Sequence, residues 1–158
     1  SYSRARENFT RAYKKPDDER FHDLRKAVQW HQRHMVLLTK AWPEYFNVRV
    51  AACRELAQDL GYDHDLAMLI DLVERREDTA VDSDAVIQVA RSRQAELRAG
   101  AFALAERLFD ERPAAFTRRI RGYWTAAPLI RQDPSDRQDH VVTTVALTAR
   151  PKPQSVRA

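Results

Sequence analysis

Between residues 22 and 40 the chain reads HDLRKAVQWHQRHMVLLTK, a run dense in groups that bind anions. Wound as a helix at about 100° per residue, it places His22, Arg25, Lys26, Gln29, Arg33 and Lys40 within about 60° of one line. Leu24, Val28, Met35 and Leu38 fall opposite, with Ala27 and His31 among them. None of Arg25, Lys26 and Arg33 has an acid three or four residues further on. The usual pairing along a helix surface is therefore absent, and like charges repel by about 0.2–0.5 kcal/mol per close pair. An external anion would relieve that repulsion. Guanidinium forks, an ammonium point charge and a titratable imidazole together suit phosphate oxygens. If His22 contributes as imidazolium, affinity should rise as pH falls through about 6.5. The plain alternative is a solvated face of an ordinary amphipathic helix.

The remaining histidines read differently. His31 points to the apolar side and suits a core or boundary position, and His34 lies at the edge of the basic face. His64 stands between Asp63 and Asp65 and reads as part of a capped helix start.

Other chemistries find less support. Glu19-x-x-His22 has the spacing used in di-iron bundles, but those need a second such motif and two further glutamates. No metal or other cofactor is expected. Cys53 is the only cysteine, which excludes an intrachain disulfide and a cysteine zinc site. There is no nucleophile matched to a base, no phosphate-cradling glycine loop and no catalytic carboxylate pair, so the chain reads as a non-enzyme. A nucleic-acid binder is a rival, although no DNA-reading motif is present and the aromatics are not interleaved with the basic face. A structural or dimerising helical module is the other alternative.

The elements that must position these residues are helices. With 44% hydrophobic residues, 32% charged and only three glycines in 158 residues, composition favours one all-α domain. Helices are expected over about 2–14 and 19–40, broken by Pro16, and over 44–60, stopped at Gly61. Asp63 would cap a fourth, Asp82 or Ser83 a fifth running to about 111, and Pro113 would open a last one. Connections this short imply an up-and-down antiparallel bundle. From residue 127 prolines and polar residues dominate, and 127–158 is expected to be a disordered tail, apart from a run VVTTVAL that could pair as an edge strand. Residues 1–40 hold ten Lys/Arg against five acids, while the other residues hold 17 against 18, so the positive field sits at the start of the chain. No apolar run is long enough to span a membrane, and a cytoplasmic location is expected. The first residue is Ser, not Met, which leaves room for an upstream segment.

The run FHDLRKAVQWHQRHMVLL, then AWPEY, then LAQDLGYDHDLAML, resembles the CHAD family, the conserved histidine α-helical domain. The resemblance extends through RSRQAELRAGAFALAERLFDERPAAFTRRIRGYW, covering about residues 2–124. It implies a helical domain that binds inorganic polyphosphate in a basic channel made by two four-helix repeats, sometimes fused to triphosphatase-type domains. This chain is similar to the second repeat with its leading helix, giving a domain over 1–126. The channel would then be completed by an N-terminal repeat or by a second copy, or remain an open groove. By resemblance His22, Arg25 and Lys26 match the family's basic triad, and His31, His34, Asp63, His64 and Asp65 match further motif positions. Gln29 departs from the lysine usual there. Arg4, Arg6 and Arg11 at the start, and Arg118, Arg119 and Arg121 near the end, are expected walls of the same groove by charge and position. The resemblance also implies an association with polyphosphate granules.

Overall fold

A computed structural model describes residues 1–75 and 82–130, as five helices. They are α1 (Tyr2–Lys14), α2 (Asp18–Leu38), α3 (Pro43–Glu74), α4 (Ser83–Phe109) and α5 (Pro113–Ile130). No strand occurs among the described residues. The expected tail from residue 131 onward, with VVTTVAL, lies outside them.

Local chemistry sets most boundaries. Lys15, just before Pro16, leaves the helical region at φ −142°, as a residue preceding proline does. Asp17 caps α2 by accepting from the Arg20 amide at 2.8 Å, and Asp18 and Glu19 put negative charge in its first turn. Pro43 opens α3 at a position where its missing N–H costs nothing. Asp82 caps α4 through the Ala85 amide at 3.1 Å. The last helix starts at Pro113 as expected but runs to Ile130, across the boundary placed at 126, with Pro128 inside it.

The expected break at Gly61 does not occur. Along α3 the buried positions Phe46, Val50, Cys53, Leu56, Leu60 and Asp63 recur at three- or four-residue steps, with Ile70 two turns further on, so one core stripe passes straight through the glycine. A mid-helix glycine costs about 1 kcal/mol, whereas burying Leu60 and Ile70 returns about 1.5–3 kcal/mol each. Burial wins, and Gly61 keeps a helical backbone with no positive φ. Asp63 is consequently no cap.

Short links make successive helices antiparallel neighbours. The principal contacts join α2 to α3 and α3 to α4, and α1 packs on both α2 and α4 to close a four-helix ring. Phe21, Leu24 and Val28 of α2, Phe46, Leu56 and Leu60 of α3 and Phe109 of α4 form the core, with fully buried Ala5 and Ala12 letting α1 approach closely. The α5 helix covers the end where α1 starts and α2 finishes. There Phe116 stacks on Tyr2 at 3.9 Å, and Tyr123 meets Trp42, Tyr45 and Phe46. No helix among the described residues is long and apolar enough to cross a membrane.

A polar knot ties the opposite half together. Buried Asp63 receives Arg98 in a two-pronged pair, Nε to Oδ1 at 2.6 Å and Nη2 to Oδ2 at 3.1 Å. The same guanidinium reaches Asp18 at the start of α2 and lies 4.1 Å from the centre of the Phe21 ring. Gln94 adds a bond to the Asp63 carbonyl at 3.0 Å. Burial pushes the Asp63 carboxyl above its ordinary range against the opposing pull of Arg98.

Candidate functional site

Because α2 and α3 run antiparallel, the start of α2 faces the middle of α3. His22 meets His64 there, with ring centroids 4.4 Å apart and planes at 30°. One turn further, Arg25 lies over Gly61, where an added Cβ would come 3.6 Å from its Nε. Below them a shallow groove of about 370 Å³ runs between the helices, lined by Arg25, Gln29 and Gln32 from α2 and by Arg54, Gln58, Tyr62 and Asp65 from α3. Neither Arg25 nor Arg54 forms an ion pair with any described residue. His22 Nδ1 and Arg25 Nε are buried without a hydrogen-bond partner among the described residues. The site therefore gathers guanidinium charge and buried nitrogen donors that no described residue compensates.

Burial lowers the His22 pKa, and the nearby His64, Lys26 and Arg25 charges lower it further. A pH effect on anion binding through His22 thus begins below 6.5, the ordinary histidine value. Asp65 is the one acid among the lining residues, and it also lines a second hollow toward α4, formed with Leu66 and Arg93.

The other expected residues divide into two groups. Lys26 is exposed on the same face, but it pairs with Asp23 at 2.7 Å, which corrects the expectation of an unpaired lysine. Its acid lies three residues upstream, one helical turn away on the same face. Arg33 and His34 are exposed beyond the groove, both beside Trp30. Exposed Arg11 acts on the Asp23 carboxylate, so α1 flanks α2 on the side away from α3. Arg4 stands one turn before Asn8, whose side chain donates to the Asp23 carbonyl at 3.1 Å, and shares that flank.

Others do not join the site. Arg6 donates to the Phe109 carbonyl at 3.0 Å. Lys40 lies beyond the end of α2, roughly 27 Å along the axis from His22 at 1.5 Å per residue, in a hollow with Ala41 and Trp124. Arg118 and Arg121 sit together on α5 with Pro113 and Thr117, at the other end of the bundle. Arg119 is not a groove wall either. It pairs with Glu111, donates to the Tyr45 hydroxyl and lies over the Phe116 and Tyr123 rings, clamping α5 to α3. Its pKa is raised, first by the Glu111 hydrogen bond.

His31 is fully buried among Tyr2, Phe109 and Phe116, each with its ring centre 5.5–5.8 Å away. Neither ring nitrogen has a partner among the described residues, and burial holds its pKa down at about 3. It is a neutral core residue, as the apolar side of the helix suggested.

Two assignments needed the fold. His64 faces His22 from mid-helix and belongs to no capped turn. The stripe Arg54, Gln58, Gly61, Asp65 follows the four- and three-residue steps of one helix face, and it was invisible once Gly61 was read as a stop. Among the described residues no three His, Cys, Asp or Glu side chains gather into a metal-binding group.

Fold and site together define a helical bundle with a cationic groove between two antiparallel helices. Residues 1–74 match the CHAD domain, a stretch that takes in α1, α2 and α3, the helices that build and flank the groove. The match stops short of the residue 124 to which the resemblance extended. No curated protein and no solved structure matches the chain.

Proposed function

We propose that this chain binds polyanions, inorganic polyphosphate foremost, along the α2–α3 groove, and that it does so without catalysing a reaction. The observation that carries this reading is the pair Arg25 and Arg54, which face one groove with no carboxylate partner among the described residues. His22 and His64 stand at its head, and the exposed face of α2 with Arg11 alongside extends the positive surface. A chain of phosphates laid along this track would meet Arg54, Arg25 and the histidine pair in turn and release its counterions. The match of residues 1–74 to the CHAD domain supports the phosphate-chain reading.

Polyphosphate titration at low and moderate salt tests it. Tight binding that weakens steeply with salt, and that falls at least about tenfold when Arg25 and Arg54 become alanine, is the expected result, since hydrogen bonds to charged groups contribute about 1.5–3 kcal/mol each. Binding unaffected by both substitutions would overturn the groove.

A second reading, a helical module that docks onto a further repeat or a second copy, is favoured by the end of α3 and the start of α4. Leu69 and Val89 are exposed there in an apolar hollow formed with Leu66 and Val86. A concentration-dependent mass in light scattering, abolished by Val89→Glu, would support it.

A further inference from the structure

On the outer face of α2, beside the groove, stands an indole that the fold does not use. Trp30 is 56% exposed, while the apolar face of its helix is already complete with Leu24, Val28, His31 and Met35. Nitrogen-bearing side chains surround it at helix spacing. Lys26 precedes it by four residues, Arg33 follows by three and His34 by four, so all share its face. This corrects the expectation that no aromatic is interleaved with the basic face.

The cluster is ordered by its own contacts. Arg33 lies over the indole, 5.0 Å from the ring centre, and has no carboxylate partner among the described residues. His34 Nδ1 meets the Trp30 carbonyl at 2.6 Å, which holds its ring beside the indole with centroids 6.5 Å apart. Asp23, two turns back along the helix, is held by Lys26. Across the flank, Arg4 lies in α1 between Tyr2, which meets His31, and Asn8, which meets Asp23, and so stands at the level of this patch.

We infer that this face binds single-stranded nucleic acid, with Trp30 as a stacking platform for a base and Arg33 as a contact to the adjoining phosphate. The inference rests on the proposed reading that the neighbouring groove accepts a phosphate chain, and it extends the ligand class to chains that carry bases. The physical distinction is sharp. A polyphosphate offers an indole nothing to stack on, so Trp30 is idle toward that ligand. A nucleic acid presents a π face at every residue, and stacking on an exposed aromatic is tolerant of sequence. An arginine already lying on the ring adds a second planar surface and a positive charge where base and phosphate meet.

Three polymers of equal charge separate the possibilities: oligo(dT), an abasic oligodeoxynucleotide and polyphosphate, each titrated against the full chain at low salt. Oligo(dT) is expected to bind about tenfold more tightly than its abasic counterpart. Trp30→Ala should remove that preference, Trp30→Phe should keep part of it, and polyphosphate affinity should stay within about twofold in both. Equal binding of oligo(dT) and the abasic chain by the unmodified protein overturns the inference, and so does absence of oligo(dT) binding. Loss of polyphosphate affinity in Trp30→Ala to the same degree would also overturn it, because the indole would then be holding the helix surface and not a base. Arg25→Ala reports separately. If it leaves all three polymers unaffected, the groove reading fails, while the ratio of oligo(dT) to abasic affinity still reports on Trp30.

Discussion

Arg98 and Arg25 belong to the same small bundle and live in opposite circumstances. Arg98 is drawn into the interior, gripped by Asp63 and Asp18 and laid on Phe21, so its charge is spent on joining α2, α3 and α4. Arg25 lies on the seam between α2 and α3, over a glycine, with no acid answering it among the described residues. A cation whose partners are built in holds a fold together. A cation left without one is available to a ligand, and the protein bears its repulsion from neighbouring charges until the ligand arrives.

The comparison breaks most visibly at Asp63. Removing one partner of a buried pair costs about 3–5 kcal/mol where the other is left uncompensated, and Arg98 would keep Asp18, which puts the loss at the lower end of that range. Asp63→Ala should therefore lower the denaturation midpoint strongly in a urea titration, and Arg98→Met in addition should recover part of the loss. Replacing Arg25 and Arg54 with alanine should have the opposite signature, with stability within about 0.5 kcal/mol of the parent while polyphosphate affinity collapses. If Arg25→Ala destabilised the bundle as Asp63→Ala does, the two arginines would share a structural role and the contrast would fail.

His31 gives a pH-dependent version of the same contrast. Its folded pKa is held near 3, against 6.5 for an ordinary histidine, by burial first and by the nearby Arg49 charge second. Above pH 6.5 both folded and unfolded forms are neutral, and the stability is fully present. As pH falls from 6.5 toward 3 the unfolded chain takes up the proton and the folded one does not, so stability drains by up to about 1.4 kcal/mol per pH unit. His31→Phe should flatten that slope in thermal melts between pH 6.5 and 4. An unchanged slope would place the acid sensitivity elsewhere.

Much of this architecture was legible in the sequence because the signals that set it are local. Pro16, Asp82 and Pro113 act within a turn of where they stand, and α1, α2, α4 and α5 begin close to where the sequence places them. The apolar side of α2, with His31 on it, was likewise readable from periodicity. The site was half legible. His22 and Arg25 stand out by spacing on one helix, but their counterparts His64, Arg54 and Gln58 come from a second helix whose register against α2 is a tertiary fact. Arg119 looked as basic and as free as Arg25, because Glu111 and Tyr45, which claim it, lie in other elements. Lys26 is the opposite case, since Asp23 was close enough to be seen and lay upstream.

The smallest expected effect falls at Gly61, the residue that hid half of the site. Its backbone is helical, so the conformational freedom of glycine serves no purpose there, and an alanine should stabilise α3 by about 0.5–1 kcal/mol. What glycine does supply is closeness to Arg25. A Cβ at 3.6 Å from Nε is ordinary contact, so Gly61→Ala should also leave polyphosphate affinity within about twofold, the change expected when a neighbour shifts by less than 0.5 kcal/mol. A larger side chain is different: Gly61→Leu would push the guanidinium off the seam, and affinity should fall while the fold persists. If Gly61→Ala alone weakened binding as much as Arg25→Ala, the close seat of the guanidinium on α3 would be part of the binding geometry itself. The distinction between an arginine that merely faces the groove and one that must rest against α3 turns on that single methyl group.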